Sequence, residues 1–296
     1  MVMIILAFAL CGVMSSLVFA VLVGSNNPQL HKSEVAYLKA KAHPHGGRLR
    51  AYRSVALSAV LAQCRTGKKS CNELDIYEFG VYTGISMHQI LWAMDTRSVK
   101  TNLWRGEKVT IDGAGAVPRR LWGFDSFAGL PEEMALASSY VHKHHFIQGA
   151  WNGQLAMGAE SRAELIDKVA SYLNDSRVQL VPGFYNESLT NDLAKKMRPA
   201  LYVDVDCDLY SSTVTALVWL FDHGLVQVGT VIGYDDWAQG GISDGEQRAH
   251  AEVKERYGVT FKPLGTPYGG AAFQVTGCQS CGVSHSTPTL GTSLRG

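Results

Sequence analysis

The chain carries almost no net charge: 27 lysines and arginines stand against 26 aspartates and glutamates, a formal +1 with histidine neutral. Nucleic-acid binding needs a clustered basic field, so no nucleic-acid partner is expected. Also missing are the GK[ST] of a P-loop, the GxGxxG of a dinucleotide site and any internal repeat. A second cysteine pair near Cys278-Gln-Ser-Cys281 is absent too, with only His285 nearby, so a disulfide or an exposed tail is expected there rather than zinc. Charge is scarce overall, 18% against 46% hydrophobic residues, and a sizeable buried core follows.

Met1 to Val23 contain no acidic or basic side chain. About 20 such residues span a bilayer, and the run is longer than the apolar stretch of a cleaved signal, so residues 1–24 are expected to be a transmembrane signal anchor. Lys32, Lys39 and Lys41 follow it, which read literally by the positive-inside rule would put the domain in the cytosol. The sequons Asn174-Asp-Ser176 and Asn186-Glu-Ser188 are usable only in a secretory lumen, and the lumenal side is the expectation adopted. Cys64 and Cys71 bracket a polar loop, where an oxidising compartment would permit a disulfide.

Residues 25–47 read as a linker, 48–277 as the main domain and 278–296 as a disordered tail. Apolar residues at helical spacing make Arg48–Gln63 a helix packed on that domain. Beyond it, short apolar runs alternate with helical stretches. Strands are expected at Leu74–Phe79, Leu121–Asp125, Val178–Val181, Ala200–Asp206, Val228–Tyr234 and Ala271–Val275. Helices include Ser86–Met94, Arg162–Leu173, Ser211–Phe221 and Asp244–Arg256. This alternation predicts an α/β fold with a mainly parallel sheet covered on both faces. Ligands then belong beyond the carboxyl ends of the strands.

Three constellations fall there. The first strand runs into Glu78-Phe-Gly80-Val-Tyr-Thr83-Gly84, whose glycines let backbone approach a ligand. A loop with an acid and no cation suits a cofactor with a cationic amino-acid end better than a pyrophosphate. The second strand delivers Asp125-Ser126, an acid placed for ribose hydroxyls or, more simply, for a helix cap. The separation of Gly84 from Asp125 makes Asp95–Arg120 an insertion. Finally, strand alternation puts Asp204 and Asp206 on one face, and Asp235 and Asp236 end the next strand. If these strands are neighbours, Asp206, Asp235 and Asp236 converge, and a hard divalent ion such as Mg2+ would relieve their repulsion. Capping by Asp208 or Ser211 plus a solvated acidic turn is the simpler alternative.

YEFGVYTG, WGFDSFAGLPE, PGFYNESL, DVDCDLYSST, GYDDW and GEQRAHAE, in this order over Asp75–Val275, resemble the macrocin O-methyltransferase (TylF-like) family. The resemblance implies a class I methyltransferase fold, Rossmann-like, with a seven-stranded, mostly parallel sheet whose last strand is antiparallel. It implies S-adenosylmethionine as cofactor and Mg2+-assisted methyl transfer to a hydroxyl of a sugar or glycosylated metabolite. Carried over, Glu78, Gly80, Thr83 and Gly84 would hold the cofactor's methionine end, Asp125 and Ser126 its ribose, and Gly183 and Phe184 its adenine. Asp206, Asp235 and Asp236 would hold the metal, and Asp206 would be the general base. The family's bacterial members are soluble, so the apolar N-terminus is a departure that makes a glycan or lipid-linked sugar a live acceptor. A homo-oligomer is left open.

Ala135–Gly158, with His142, His144, His145, Trp151 and Asn152, is either an exposed polar loop or a lid over the acceptor, and a histidine there could serve as base. Gly245-Glu246-Gln-Arg248 is expected to brace the metal edge by ion pairing, or to be simply a solvated helix start. Two rival functions remain. A haloacid dehalogenase-like phosphatase would need a cation between its acidic motifs, and Cys207–Tyr234 holds no lysine or arginine. A non-catalytic, membrane-anchored binding protein with the same fold is the other.

Overall fold

The computed structural model describes residues 50–65, 71–95, 99–102, 108–111, 118–132, 148–238, 245–266 and 269–281. The anchor run 1–24, the linker 25–47, His142, His144, His145 and the tail beyond 281 lie outside the described residues. Among those described, no helix is long and apolar enough to cross a membrane.

Helix α1 (Ala51–Arg65) leads through a single 3-10 turn (Cys71–Glu73) into β1 (Asp75–Phe79), followed by α2 (Ile85–Asp95). A hairpin of β2 (Val99–Asn102) and β3 (Lys108–Ile111) precedes β4 (Leu121–Asp125). Then come α3 (Gln154–Met157), α4 (Arg162–Leu173), β5 (Val178–Pro182), α5 (Tyr185–Ser188) and α6 (Asn191–Ala194). The chain closes with β6 (Ala200–Val205), α7 (Tyr210–Asp222), β7 (Val231–Tyr234), α8 (Glu246–Tyr257), β8 (Thr260–Gly265) and β9 (Ala271–Gly277).

Seven strands form one sheet in the order β5-β4-β1-β6-β7-β9-β8. The first five are parallel; β9 runs antiparallel to both β7 and β8. Central β1 and β6 are buried along their whole length, as parallel strands covered on both faces must be. Their alternation assigns the faces. Ile76 and Tyr202 point into a core shared with α1, α2 and α4, while Tyr77, Phe79, Val203 and Val205 point into one shared with α7 and α8. Glu78, Asp204 and Asp206 therefore fall on the α1–α2 side, polar groups in an apolar layer. Partners must be found for them there.

The structure revises or adds to four expectations. Val228 is exposed, and the strand begins only at Val231, because Gln227–Thr230 form a turn closed by Thr230 N on Gln227 O. Strand β8 was not expected at all: Lys262 and Pro263 argue against a strand, but β8 lies at the sheet edge, where a proline forfeits no required ladder bond. The Asp95–Arg120 insertion contains the β2–β3 hairpin, a separate two-stranded sheet. The segment expected to be a tail starts with ordered residues: Cys278 and Cys281 form a disulfide, and Ser280 donates to Tyr257 O at the end of α8. Cys64 and Cys71 are also bonded, tying α1 to the turn before β1.

Behind the sheet edge, His250 of α8 packs among Tyr234, Trp237, Phe261 and Phe273, its Nδ1 3.0 Å from the Tyr234 hydroxyl. Burial, with Lys254 adding to it, lowers its pKa from 6.5 to about 4. The unfolded chain thus takes up a proton between these pH values that the folded chain refuses. This contribution is intact above pH 6.5 and is lost as pH falls towards 4, by about 3 kcal/mol in all. In urea titrations at stepped pH, the stability advantage of wild type over His250→Phe should shrink across that window. A constant difference would show that His250 is not held neutral.

Candidate active site

The carboxyl ends of β1, β4, β6 and β7 meet along one edge. At this edge β1 turns into the loop Gly80–Gly84, in which Gly80, Tyr82 and Gly84 all have positive φ. Gly80 is irreplaceable on two counts. Its φ is +94°, and a Cβ there would lie 1.8 Å from the Asp206 carbonyl oxygen. The loop after β1 is thus pressed against the end of β6, with Asp206 N donating to Phe79 O at 2.8 Å.

Asp125 shapes this loop from the neighbouring strand. Its Oδ2 accepts from the backbone N–H of Val81 (2.8 Å) and Tyr82 (2.7 Å), and its Oδ1 from that of Phe127 (2.6 Å). Burial raises its pKa, and those three donors oppose the rise. Ser126 turns inward, donating to Gly129 O, so both residues proposed for the ribose are at work within the protein. Gly183 N donates to Asp125 O, which brings Gly183 and Phe184 to the same edge. Trp151 of the expected lid sits edge-on to Tyr82, 5.5 Å between ring centres, and Thr83 is wholly buried beneath the loop.

Glu78 is wholly buried. Ser86 donates to its Oε1, and Oε2 has no hydrogen-bond partner. Burial pushes its pKa well up, and the charge of Asp204, its register neighbour on β6, pushes it further. A buried acceptor without a donor, at the base of a glycine loop, fits the amino group that the cofactor's methionine end would bring.

Asp206, Asp235 and Asp236 do come together: one oxygen of each lies within 4.8 Å of the others. Asp208, at a φ of 62°, adds a fourth carboxyl, which shares a hydrogen bond with Asp236 and whose pKa burial raises to about 7. It does not cap α7, whose N-cap is Leu209. Glu246 braces the edge, but through a hydrogen bond: its Oε2 accepts from Asp236 N at 3.0 Å. Arg248 pairs with Glu252 and lies over the Tyr210 ring. Burial raises the pKa of Asp235, Asp236 and Glu246 well above the usual carboxylate range, and the neighbouring acids add to it. Asp235 Oδ1 and Glu246 Oε1 are buried acceptors with no donor. Crowded oxygens short of donors fit a hard divalent cation.

The cations at this edge come from α1 and the residue before it, and were not foreseen. Arg53, 3% exposed, donates from Nε to Asp204 Oδ2 and from Nη2 to Asp206 Oδ2, both at 2.7 Å. Tyr202 completes Asp204 with a 2.6 Å bond to Oδ1. Arg50 reaches Asp235 Oδ2 at 3.1 Å from a half-exposed position. Gly233 makes the approach of α1 possible, since a Cβ there would meet the Tyr52 ring at 3.0 Å. The sequence offers only a weak signal for them: Arg50 and Arg53, three apart, share one side of the expected Arg48–Gln63 helix with Ser54 and Leu57.

This strand order, with its penultimate strand antiparallel inside the sheet and polar groups gathered at the carboxyl edge, defines a Rossmann-like α/β methyltransferase fold. Two solved structures share it: the O-methyltransferase NovP (TM-score 0.54, 20% identity, covering 89% of this chain and 98% of that one) and the calicheamicin methyltransferase CalS11 (TM-score 0.50, 16% identity, 88% and 91%). Residues 91–263 match the macrocin O-methyltransferase (TylF) family, and the chain belongs to that family. A curated relative from Streptomyces olivaceus, 8-demethyl-8-(2,3-dimethoxy-alpha-L-rhamnosyl)-tetracenomycin-C 4'-O-methyltransferase, is 29% identical over 172 residues. The match spans 55% of this chain and 59% of the relative's own length. Nothing in these likenesses supports a phosphatase.

Proposed function

We propose that the protein is an S-adenosylmethionine-dependent O-methyltransferase that methylates a hydroxyl of a sugar or glycosylated small molecule, with Mg2+ held by Asp206, Asp235 and Asp236. The observation that carries this reading is the contact of the Gly80 loop with Asp206, which sets a cofactor cradle directly beside the carboxylate cluster. The family and the name of its Streptomyces relative support the reaction and the class of acceptor.

S-adenosylmethionine supplies a methyl group on a sulfonium, which leaves with the carbon–sulfur electron pair as S-adenosylhomocysteine. Mg2+ supplies a positive charge that makes an acceptor hydroxyl more acidic. The protein's own part is placement and proton removal. Glu78 would receive the cofactor's amino group, the Gly80–Gly84 backbone would admit its methionine end, and Gly183 and Phe184 would lie near its adenine. Asp125 would act on the ribose mainly by fixing the loop beside it, through its bonds to Val81, Tyr82 and Phe127 N–H. Asp206, partly open to the edge, accepts the hydroxyl proton as the oxygen–carbon bond forms. Alignment of oxygen, methyl carbon and sulfur contributes much of the rest.

Calorimetric titration with S-adenosylmethionine, with and without Mg2+, tests this. Binding should be seen in both, and no binding in either would sink the reading. Binding without transfer to any hydroxyl acceptor would favour a non-catalytic binding protein. For location, we infer a membrane-anchored domain on the lumenal side, supported by the apolar run in the sequence, the two disulfides, and the exposure of Asn174 and Asn186.

A further inference from the structure

We propose that Arg53 is the positioning residue that makes Asp206 a one-oxygen metal ligand, an inference that rests on the metal-assisted reading above. Arg53 is almost fully buried, and its guanidinium is divided between two carboxylates of β6. With Nε it holds Asp204, which is wholly buried and completed by Tyr202, so Asp204 is withdrawn from the cluster. With Nη2 it holds Asp206 Oδ2, so Oδ1 is the Asp206 oxygen that Arg53 does not engage, while an oxygen of Asp206 lies within 4.8 Å of one each from Asp235 and Asp236. The planar fork of arginine fixes the direction of both bonds together, which a lysine ammonium cannot do.

The charges of Arg53 and Asp204 cancel locally. What remains is a matter of orientation. Without Arg53, Asp206 would be free to turn either oxygen, or both, towards the cluster, and Asp204 would compete for whatever cation arrives. Supporting groups of this kind are worth about 10- to 100-fold in metal affinity.

The test separates orientation from charge. Arg53→Gln alone strands a buried carboxylate and is at risk of not folding. Arg53→Gln combined with Asp204→Asn removes one positive and one negative charge together, leaving the net charge unchanged and a neutral amide pair in their place. Mg2+ affinity measured by calorimetry should fall about tenfold or more in this double variant, while affinity for S-adenosylmethionine holds. Mn2+ used as a probe should show an altered electron paramagnetic resonance spectrum. Arg53→Lys, which keeps the charge but grips one carboxylate at a time, should fall between the double variant and wild type. A folded double variant that binds Mg2+ like wild type overturns the inference, as does failure of all three variants to fold, which would make Arg53 a core residue only. A wild-type protein that takes up no Mg2+ sinks the metal reading itself, and this inference with it.

Discussion

Asp206→Asn should abolish methyl transfer while leaving S-adenosylmethionine bound as tightly as before. The substitution is nearly isosteric, and the amide oxygen can still accept from Arg53 Nη2 where Oδ2 does now. The other position becomes an NH2 group, which can neither take a proton nor ligate a cation. Loss of a positioned base costs roughly 100- to 10,000-fold in rate, and loss of a metal ligand adds to that. Cofactor affinity should persist because the loop touches Asp206 through main chain: its N–H on Phe79 O, and its carbonyl against Gly80. The measurement is S-adenosylhomocysteine formed with an accepted glycoside, set beside calorimetric cofactor binding. Unchanged turnover removes Asp206 from its role. Loss of both activity and cofactor binding would make it a loop residue first.

Gly80→Ala should have an effect of similar size for a different reason. A methyl group at that position would sit 1.8 Å from the Asp206 carbonyl oxygen and 2.7 Å from its carbon. Backbone cannot rotate out of the way as a side chain can, so β1 and β6 must part at their carboxyl ends. A displacement of about 1 Å at a reacting centre costs on the order of 100-fold in rate, and here it falls on cofactor cradle and base together. Gly158→Ala is the matched control. Its φ of +62° imposes the same kind of backbone strain, of order 1 kcal/mol, but a Cβ there meets nothing within 4 Å. If both variants lose only that modest stability and Gly80→Ala keeps its turnover, the contact between loop and strand is not what builds the site.

Much of this arrangement is legible in the sequence because buried parallel strands have a plain signature. Ile76–Phe79, Leu121–Phe124 and Leu201–Val205 are short apolar runs, and their alternation fixes which face each acid takes. The convergence of Asp206 with Asp235 and Asp236 required only that β6 and β7 be neighbours, a condition the sequence left open and the sheet meets. What was hidden depended on position in space. Proline in β8 is tolerated only because that strand is an edge, and no local pattern reports an edge. Arg53 reads as a solvated charge on an amphipathic helix until α1 is laid across β6 and β7 at the level of Gly233. The carboxylate of Asp125 looks like a ribose acceptor from its place at a strand tip, yet three backbone donors already claim it. Repulsion among the acids called for a cation, and the chain supplies part of that charge itself, from a helix that precedes every recognisable motif.

The sheet order also bears on how this protein can be dissected. The span that matches the family, residues 91–263, begins within α2 and ends within β8. It omits β1, which lies between β4 and β6 in the middle of the sheet, and β9, which separates β7 from β8. A fragment cut to those limits would have a gap at its centre, an orphaned edge strand, and neither Arg53 nor the Gly80 loop. The family-matching span alone is therefore not an autonomous folding unit. Any working fragment has to reach from α1 through β9, and through the Cys278–Cys281 clasp where the last turn of α8 is secured.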